Sequence, residues 1–130
     1  MRPAVARAQG PVPVEEAWQR YLRPARWSEW SPQVRHVDSD SDVIVAGSAG
    51  TVRTVGGVHV RFVVLDVDSA ARTWSWRVRV GPVVMVLDHL LHARPDGGTR
   101  AEVVIHAPFP VARLYRVPAT VALHRLVHRP

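Results

Sequence analysis

The sequence predicts an α+β fold in which two short helices near the N-terminus precede a meander of antiparallel strands and a C-terminal helix. Three patterns predict it. Apolar residues recur at helical spacing early in the chain, alternate with polar residues through the middle, and return to helical spacing at the end. The 130 residues are enough for one domain with a buried core. We therefore predict a single domain spanning residues 1–130.

The first quarter of the chain predicts one strand and two short helices. A short strand is expected at Ala4–Ala8. Apolar residues at helical spacing then indicate a helix within "VEEAWQRYL", with Pro13 suited to its start and Pro24 ending it. "ARWSEW" is long enough for a further short turn of helix, which Ser31-Pro32 closes.

The centre of the chain predicts antiparallel strands. "TWSWRVRV" alternates most clearly, because Trp74, Trp76 and Val78 share one face while Arg77 and Arg79 share the other. "VIVAGSAGTVRTV" predicts two short strands, or one strand broken by its glycines. The other predicted strands are "VRHV", "VHVRFVVLDVD", "VVMVLDHLLHA" and "RAEVVIHA", with turns such as Gly56-Gly57 and "RPDGGT" between them.

The last segment predicts an amphipathic helix. Its apolar stripe falls at i, i+3, i+4, i+7 and i+8 and consists of Ala119, Ala122, Leu123, Leu126 and Val127. Pro118 suits the first turn of this helix, and an irregular or helical lead-in is expected at Val111–Val117. A half-solvated antiparallel sheet must cover its apolar face, and this helix is the only large element left to do so.

Composition excludes several classes of site. There is no Cys, so thiolate metal ligands, thiol nucleophiles and disulfides are excluded. The 17 basic residues are all Arg, which excludes Schiff-base chemistry through a lysine and is typical of a high-GC, bacterial genome. Net charge is +6, but the arginines are scattered, and no nucleic-acid-binding motif accompanies them. We expect no nucleic-acid partner and no cofactor.

Targeting signals are not visible either. No apolar stretch approaches the ~18 residues of a membrane span, so stable membrane insertion is not expected. Arg2 and Arg7 are not followed by the apolar region of a secretory signal. We therefore expect a cytoplasmic protein, and the choice between a monomer and a homodimer stays open.

The order and spacing of several short motifs resemble the START-related (SRPBCC) superfamily, and within it the polyketide cyclase/dehydrase-like group. The segments that carry the resemblance are "VEEAWQRYLRPARWSEWSP" (Val14–Pro32), "GSAGTV" (Gly47–Val52), "VDSAARTWSW" (Val67–Trp76), "DHLL" (Asp88–Leu91) and "DGGT" (Asp96–Thr99). The resemblance implies a helix-grip fold, in which a curved antiparallel β-sheet wraps around the C-terminal α-helix and leaves an apolar cavity between them. It also implies the binding of a hydrophobic molecule, or cyclisation or dehydration of one. Two departures from the family pattern, a poorly marked first strand and a short last helix, predict a smaller or more open cavity.

Within that fold, one set of residues is expected to bind a hydrophobic or aromatic ligand, lipid-like or polyketide-like. The set consists of Phe62, Trp74, Trp76, Val78, Met85, Leu87, His89, Tyr115, Leu123 and Leu126. An ordinary packed core is the alternative for the apolar members. Trp27 and Trp30 present a similar choice, between a structural plug at the corner beside the short helices and part of the cavity wall.

His89 is the candidate catalytic residue. It shares its predicted face with Met85, Leu87 and Leu91, where an imidazole could act as a general base for a cyclase or dehydratase. The alternative is a core histidine bonded to a backbone carbonyl. His89 and His92 should point to opposite faces of the strand and cannot chelate one ion, so no metal site is predicted there.

A metal site is not expected on the last helix either. His124 and His128 are four residues apart, but no carboxylate follows to complete the site. No G-x-S-x-G elbow or phosphate-binding loop is present. Three hypotheses for function therefore remain. They are ligand binding with His89 and Tyr115 orienting the ligand, catalysis through His89, and docking of an acidic protein partner on the basic last helix.

Overall fold

The computed structural model describes residues 3–129, and within them a seven-stranded antiparallel sheet packs against one long helix. The strands are β1 (Ala4–Gly10), β2 (Val34–Ser39), β3 (Ala49–Thr54), β4 (His59–Asp68), β5 (Thr73–Val80), β6 (Val83–Ala93) and β7 (Thr99–His106). The helices are α1 (Val14–Leu22), a 3-10 turn (Pro24–Arg26), α2 (Trp27–Trp30) and α3 (Val111–His128). This arrangement confirms the predicted α+β helix-grip fold.

The strand order explains where the short helices lie. Strands β2 to β7 pair in chain order as a meander, whereas β1 pairs with β7 at the opposite edge from β2. The connection from β1 to β2 therefore has to cross from one edge of the sheet to the other, and α1, the 3-10 turn and α2 form that connection. Register shifts in β2 and β4 bend the sheet, since a bulge increases local twist and curvature.

The C-terminal helix is longer than the sequence predicted. It begins at Val111, so the expected lead-in at Val111–Val117 is helical and continuous with it. Pro118 therefore lies in the helix interior rather than in the first turn, and the expectation of a short last helix was wrong. A proline removes the hydrogen bond to the carbonyl four residues earlier, here that of Leu114. Leu114 is exposed on the outer face of the helix, where water can solvate that carbonyl. The 18 residues span about 27 Å at 1.5 Å per residue.

The inner face of α3 packs on β1 and β7 and carries the predicted apolar stripe. The backbones approach closely at the end of this contact. The amide of Val12 donates to the carbonyl of Val127 at 3.0 Å, and a Cβ added to Gly10 would lie 2.5 Å from the same oxygen. Gly10 therefore permits an approach of sheet and helix that any other residue would prevent.

A buried arginine joins α1 to the last turn of α3. Arg20 is 4% exposed, and its guanidinium donates to the carbonyl oxygens of Leu126 at 2.7 Å and Arg129 at 2.6 Å. These carbonyls have no partner within the helix, so a cation placed among them satisfies them and complements the helix dipole. Glu16 lies 3.4 Å from the same guanidinium and supplies an opposite charge. The contact fixes α1 across one end of the space between the sheet and α3.

The segment between β2 and β3 differs from the prediction. Of the two strands allowed for "VIVAGSAGTVRTV", only Ala49–Thr54 forms, as β3, and the residues before it form an irregular loop. Gly47 has a φ of +92°, which ends extended structure there. The loop makes long-range bonds instead, with the Ile44 amide donating to the Leu22 carbonyl at 2.9 Å. These bonds hold the buried Ile44 against the end of α1.

Candidate functional site

A cavity of about 150 Å³ lies between the inner face of the sheet and the helices. Strands β5 and β6 form its floor, α3 covers it with Ala119, Ala122 and Leu123, and α1 and α2 close one end with aromatic side chains. At the other end the bordering residues are partly exposed, so the cavity opens there. The residues around this mouth are Gln33, Val34, Thr54, Val60, Val80 and Tyr115.

Most of the predicted ligand-binding residues border the cavity. They are Trp74, Trp76, Val78, Met85, Leu87, His89, Tyr115 and Leu123. Two others are buried but stand outside the wall. Phe62 packs behind it, with its ring centroid 5.5 Å from that of Trp27 and 5.3 Å from that of Trp76, and Leu126 lies farther along α3.

The two tryptophans of the corner combine both roles considered for them. Trp27 and Trp30 are buried, and each indole donates to a backbone carbonyl of α1: Trp27 to Tyr21 at 2.9 Å and Trp30 to Arg20 at 3.4 Å. Both also border the cavity. They are therefore a structural plug whose inner surface forms one end of the wall.

Sequence reasoning missed Tyr21, Ala119 and Ala122 as parts of the wall. Tyr21 belongs to the apolar pattern of "VEEAWQRYL" and the two alanines to the stripe of the last helix. Such patterns predict burial but not what a side chain is buried against. A usable signal was the small size of Ala119 and Ala122. Two alanines on the buried stripe of a helix that covers a sheet of large side chains leave space that larger residues would fill.

Five aromatic rings pack together at the closed end, those of Tyr21, Trp27, Trp74, Trp76 and His89. Trp74 and His89 stack with their centroids 3.9 Å apart and planes 7° from parallel. Tyr21 meets both rings edge-on, at 5.5 Å from Trp74 and 5.4 Å from His89. Such offset and edge-to-face contacts fix the ring positions beyond what area burial alone would do. The closed end is consequently a well-packed, mostly apolar surface.

His89 lies on the inner face of β6, as predicted, and is 6% exposed. Its Nδ1 is 3.1 Å from the carbonyl oxygen of Trp74. A carbonyl can only accept, so Nδ1 carries the proton and Nε2 is left with a lone pair. Burial lowers the pKa of His89 to about 3, because a protonated imidazole would be desolvated there. His89 is thus a neutral hydrogen-bond acceptor at physiological pH and a weak base.

This environment of His89 makes stability depend on pH. The pKa falls from 6.5 to about 3 on folding, so between these values the unfolded chain binds a proton that the folded chain does not. The contribution of His89 to the free energy of unfolding is therefore fully present above pH 6.5 and is lost as the pH falls toward 3. Relative to His89→Gln, the native protein should lose about 2 kcal/mol of unfolding free energy between pH 6.5 and 4.5. Urea unfolding of both proteins across that range measures the difference, and parallel curves would contradict a buried neutral His89.

The outer face of the sheet carries a separate polar cluster, Ser75, Asp88 and His106 on three neighbouring strands. The Ser75 hydroxyl donates to Asp88 at 2.7 Å, and His106 Nε2 lies 2.9 Å from the other carboxylate oxygen. Partial burial alone would raise the pKa of Asp88, but these hydrogen bonds lower it overall. The serine is bonded to the carboxylate rather than to the imidazole, so the cluster is not arranged as an activated nucleophile.

Two further pairs of histidines lie close together in the sequence, His89 with His92 and His124 with His128. His92 points away from His89 and is exposed, as predicted. His124 and His128 stack with their ring centroids 3.8 Å apart. Within residues 3–129 no group of three or more His, Cys, Asp or Glu side chains is placed to hold a metal ion. In the same residues, none of the helices is both long and apolar enough to span a lipid bilayer.

The family model described as "Polyketide cyclase / dehydrase and lipid transport" matches residues 4–129. The chain belongs to this family. The match confirms the resemblance seen in the sequence, and it covers every strand and helix described above. No curated protein matches the chain at the sequence level.

Solved structures with the same fold cover almost the whole chain of this polyketide cyclase / dehydrase and lipid transport family member. A protein from Nitrosospira multiformis has a TM-score of 0.79 at 14% identity, covering 96% of this chain and 93% of its own. Ara h 8.0201 has a TM-score of 0.76 at 14% identity, covering 96% and 94%. DynU16, from the dynemicin biosynthetic locus, has a TM-score of 0.77 at 19% identity, covering 97% of this chain but 46% of its own. At these identities the likeness shows the fold.

Proposed function

We propose that this protein binds a small hydrophobic molecule in the cavity between the sheet and α3. The observation that carries the proposal is the cavity itself, an unfilled space bordered by aromatic and aliphatic side chains and open at one end. Protein interiors are normally packed to the density of organic crystals, so unfilled apolar space of this size needs a reason. Membership of a family that includes lipid-transport proteins supports ligand binding as that reason.

The volume of the cavity limits the ligand. Drug-sized ligands occupy sites of roughly 300–1,000 Å³, whereas an apolar cavity of roughly 150 Å³ takes one benzene-sized molecule. The cavity measures about 150 Å³. The proposed ligand is therefore a single aromatic ring, or one end of a larger molecule whose remainder leaves through the mouth. The flat indole surfaces of Trp74 and Trp76 favour an aromatic ring over a saturated chain.

The environment of His89 suits a hydrogen-bond acceptor for the ligand better than it suits a general base. A general base works best when its pKa is near the operating pH, and burial lowers the pKa of His89 to about 3, far below neutrality. A cyclase or dehydratase step through His89 would need that pKa to rise on substrate binding. As a neutral acceptor, Nε2 instead orients a ligand hydroxyl without any proton transfer.

Titration of the purified protein with toluene tests the proposal. Toluene should bind saturably with a Kd of about 0.1–1 mM, which corresponds to roughly 4–5.5 kcal/mol and stays within the limit for a ligand of so few atoms. Calorimetry gives the stoichiometry, and tryptophan fluorescence reports contact with the closed end of the cavity. A signal that rises linearly to the solubility limit, with no saturation, would contradict the proposal.

A further inference from the structure

We propose that the ligand is a neutral aryl carbonyl compound whose oxygen accepts a hydrogen bond from the hydroxyl of Tyr21. This inference rests on the proposed function and specifies the chemistry of the ligand. It depends on three features of the wall: polar atoms without partners, the excess of donors among them, and the absence of a counter-charge.

The closed end of the cavity contains polar atoms that nothing satisfies. Tyr21 Oη, Trp74 Nε1 and Trp76 Nε1 are buried and have no hydrogen-bond partner within residues 3–129. By contrast, the indoles of Trp27 and Trp30 in the same wall are both bonded to backbone carbonyls. Leaving a buried donor unsatisfied costs about 1–3 kcal/mol, so native proteins rarely retain several side by side without a functional reason.

These orphan groups are donors. An indole N–H can only donate. Burial raises the pKa of Tyr21, so its hydroxyl keeps its proton and can donate as well. The matching ligand group is an acceptor, and a carbonyl oxygen has two lone pairs for it. Tyr21 is the most adaptable of the three donors, because its hydroxyl can rotate toward an incoming oxygen whereas each indole N–H is fixed in the plane of its ring.

The wall also excludes a charged acceptor. Within residues 3–129 no Arg, Asp or Glu borders the cavity, and His89 is neutral. A buried carboxylate without a cation is strongly disfavoured by desolvation. A ketone, aldehyde or amide oxygen carries no such penalty, so the ligand presents a neutral carbonyl to this end.

Access to Tyr21 requires a small adjustment of the rings. The orphan atoms are covered by neighbouring atoms, so a ligand oxygen must displace part of the ring cluster to reach them. The hydrogen bond formed then offsets both this adjustment and the loss of water from the carbonyl. A site built to bond a polar group discriminates strongly against an analogue that lacks it, because its own buried groups are then left unpaired.

Two ligands of the same shape test the inference. Acetophenone and α-methylstyrene differ only in that a methylene group replaces the carbonyl oxygen, and calorimetry on the whole protein gives both affinities. Acetophenone should bind at least 10-fold more tightly in the native protein, although α-methylstyrene is the more hydrophobic of the two. Benzoate, which carries a charge, should bind at least 10-fold more weakly than acetophenone.

The Tyr21→Phe variant removes the hydroxyl and keeps the ring. The preference for acetophenone should disappear in this variant, while the affinity for α-methylstyrene stays within 2-fold of the native value. Thermal unfolding provides a check on folding, with a Tm equal to or above that of the native protein because an unsatisfied buried hydroxyl is removed.

The outcomes separate this inference from the proposed function. If α-methylstyrene binds as tightly as acetophenone, the cavity binds ligands but the carbonyl assignment is wrong. If the preference persists in Tyr21→Phe, Tyr21 is not the donor and the inference is overturned. If toluene and both test ligands fail to bind, the proposed function itself fails.

Discussion

Replacing Trp27 with alanine is expected to lower the free energy of unfolding by about 3–5 kcal/mol. Trp27 is 2% exposed and packs against Phe62, Trp74 and Trp76, with ring centroids 5.2–5.8 Å apart. Its indole also donates to the Tyr21 carbonyl at 2.9 Å, so alanine leaves both a hole and an unpaired carbonyl. Because small domains are stable by only about 5–15 kcal/mol, this loss is a large fraction of the stability of the fold.

Urea denaturation followed by far-ultraviolet circular dichroism measures the effect of Trp27→Ala. Leu114→Ala is the matched control, since Leu114 is an apolar residue exposed on the outer face of α3 and should contribute less than about 0.5 kcal/mol. A loss of less than about 1 kcal/mol for Trp27→Ala would show that the corner is not part of the core.

Replacing Ala122 with leucine is expected to weaken toluene binding at least 10-fold. Ala122 is buried and borders the cavity from α3, so the added side chain occupies the space that the ligand needs. The same change fills apolar space and keeps a strong helix former in α3, so unfolding free energy should change by less than about 1 kcal/mol or rise. A large effect on binding with a small effect on stability is specific to a residue that borders the cavity.

Val121→Leu serves as the control for Ala122→Leu. Val121 is the preceding residue of α3 but is 44% exposed and does not border the cavity, so toluene affinity should stay within 2-fold of the native value. Calorimetric titration of the three proteins under one set of conditions gives the comparison. Unchanged affinity in Ala122→Leu would place the binding site elsewhere.

The sequence predicted the strands well because their signal is local. In β5, alternation assigned Trp74, Trp76 and Val78 to one shared face, and in the structure that face borders the cavity. His89 was assigned to the inner face of β6 by the same reasoning. A side-chain period of two leaves only two choices of face, and the apolar residues select one of them.

The misjudged start of α3 has a different physical origin. A proline is most common in the first turn of a helix, which favoured a start at Pro118. Whether a helix continues through a proline depends on how the freed carbonyl is satisfied, and that depends on whether Leu114 faces water. Exposure of a particular turn is a property of the packed molecule and cannot be read from the local pattern.

The cavity wall could be predicted only in part, for a related reason. Residues on β5 and β6 were recognised because the fold resemblance pointed to the inner face of the sheet. Tyr21 borders the cavity because α1 crosses one end of the space between the sheet and α3. Arg20 anchors α1 there to the last turn of α3. That placement depends on a contact between residues more than 100 positions apart, which no local pattern encodes.

The volume and polarity of the cavity are even harder to predict from the sequence. Unfilled space arises where Ala119 and Ala122 on α3 face large side chains on the sheet. Its size depends on how closely α3 approaches the sheet. The orphan donor of Tyr21 depends on how the neighbouring rings are oriented, since none of their acceptors forms a hydrogen bond with it. Both properties concern what is missing around a residue, whereas sequence patterns report what is present.

The central claim, that the space between sheet and α3 takes an apolar ring, is tested most directly by crystals soaked in iodobenzene. The iodine scatters anomalously and locates the ligand independently of the protein model. We expect one strong peak within the wall formed by Trp74, Met85 and Ala122, with the phenyl ring against the indoles. The absence of an iodine peak between the sheet and α3, or a peak only on the outer surface of the protein, would contradict the claim.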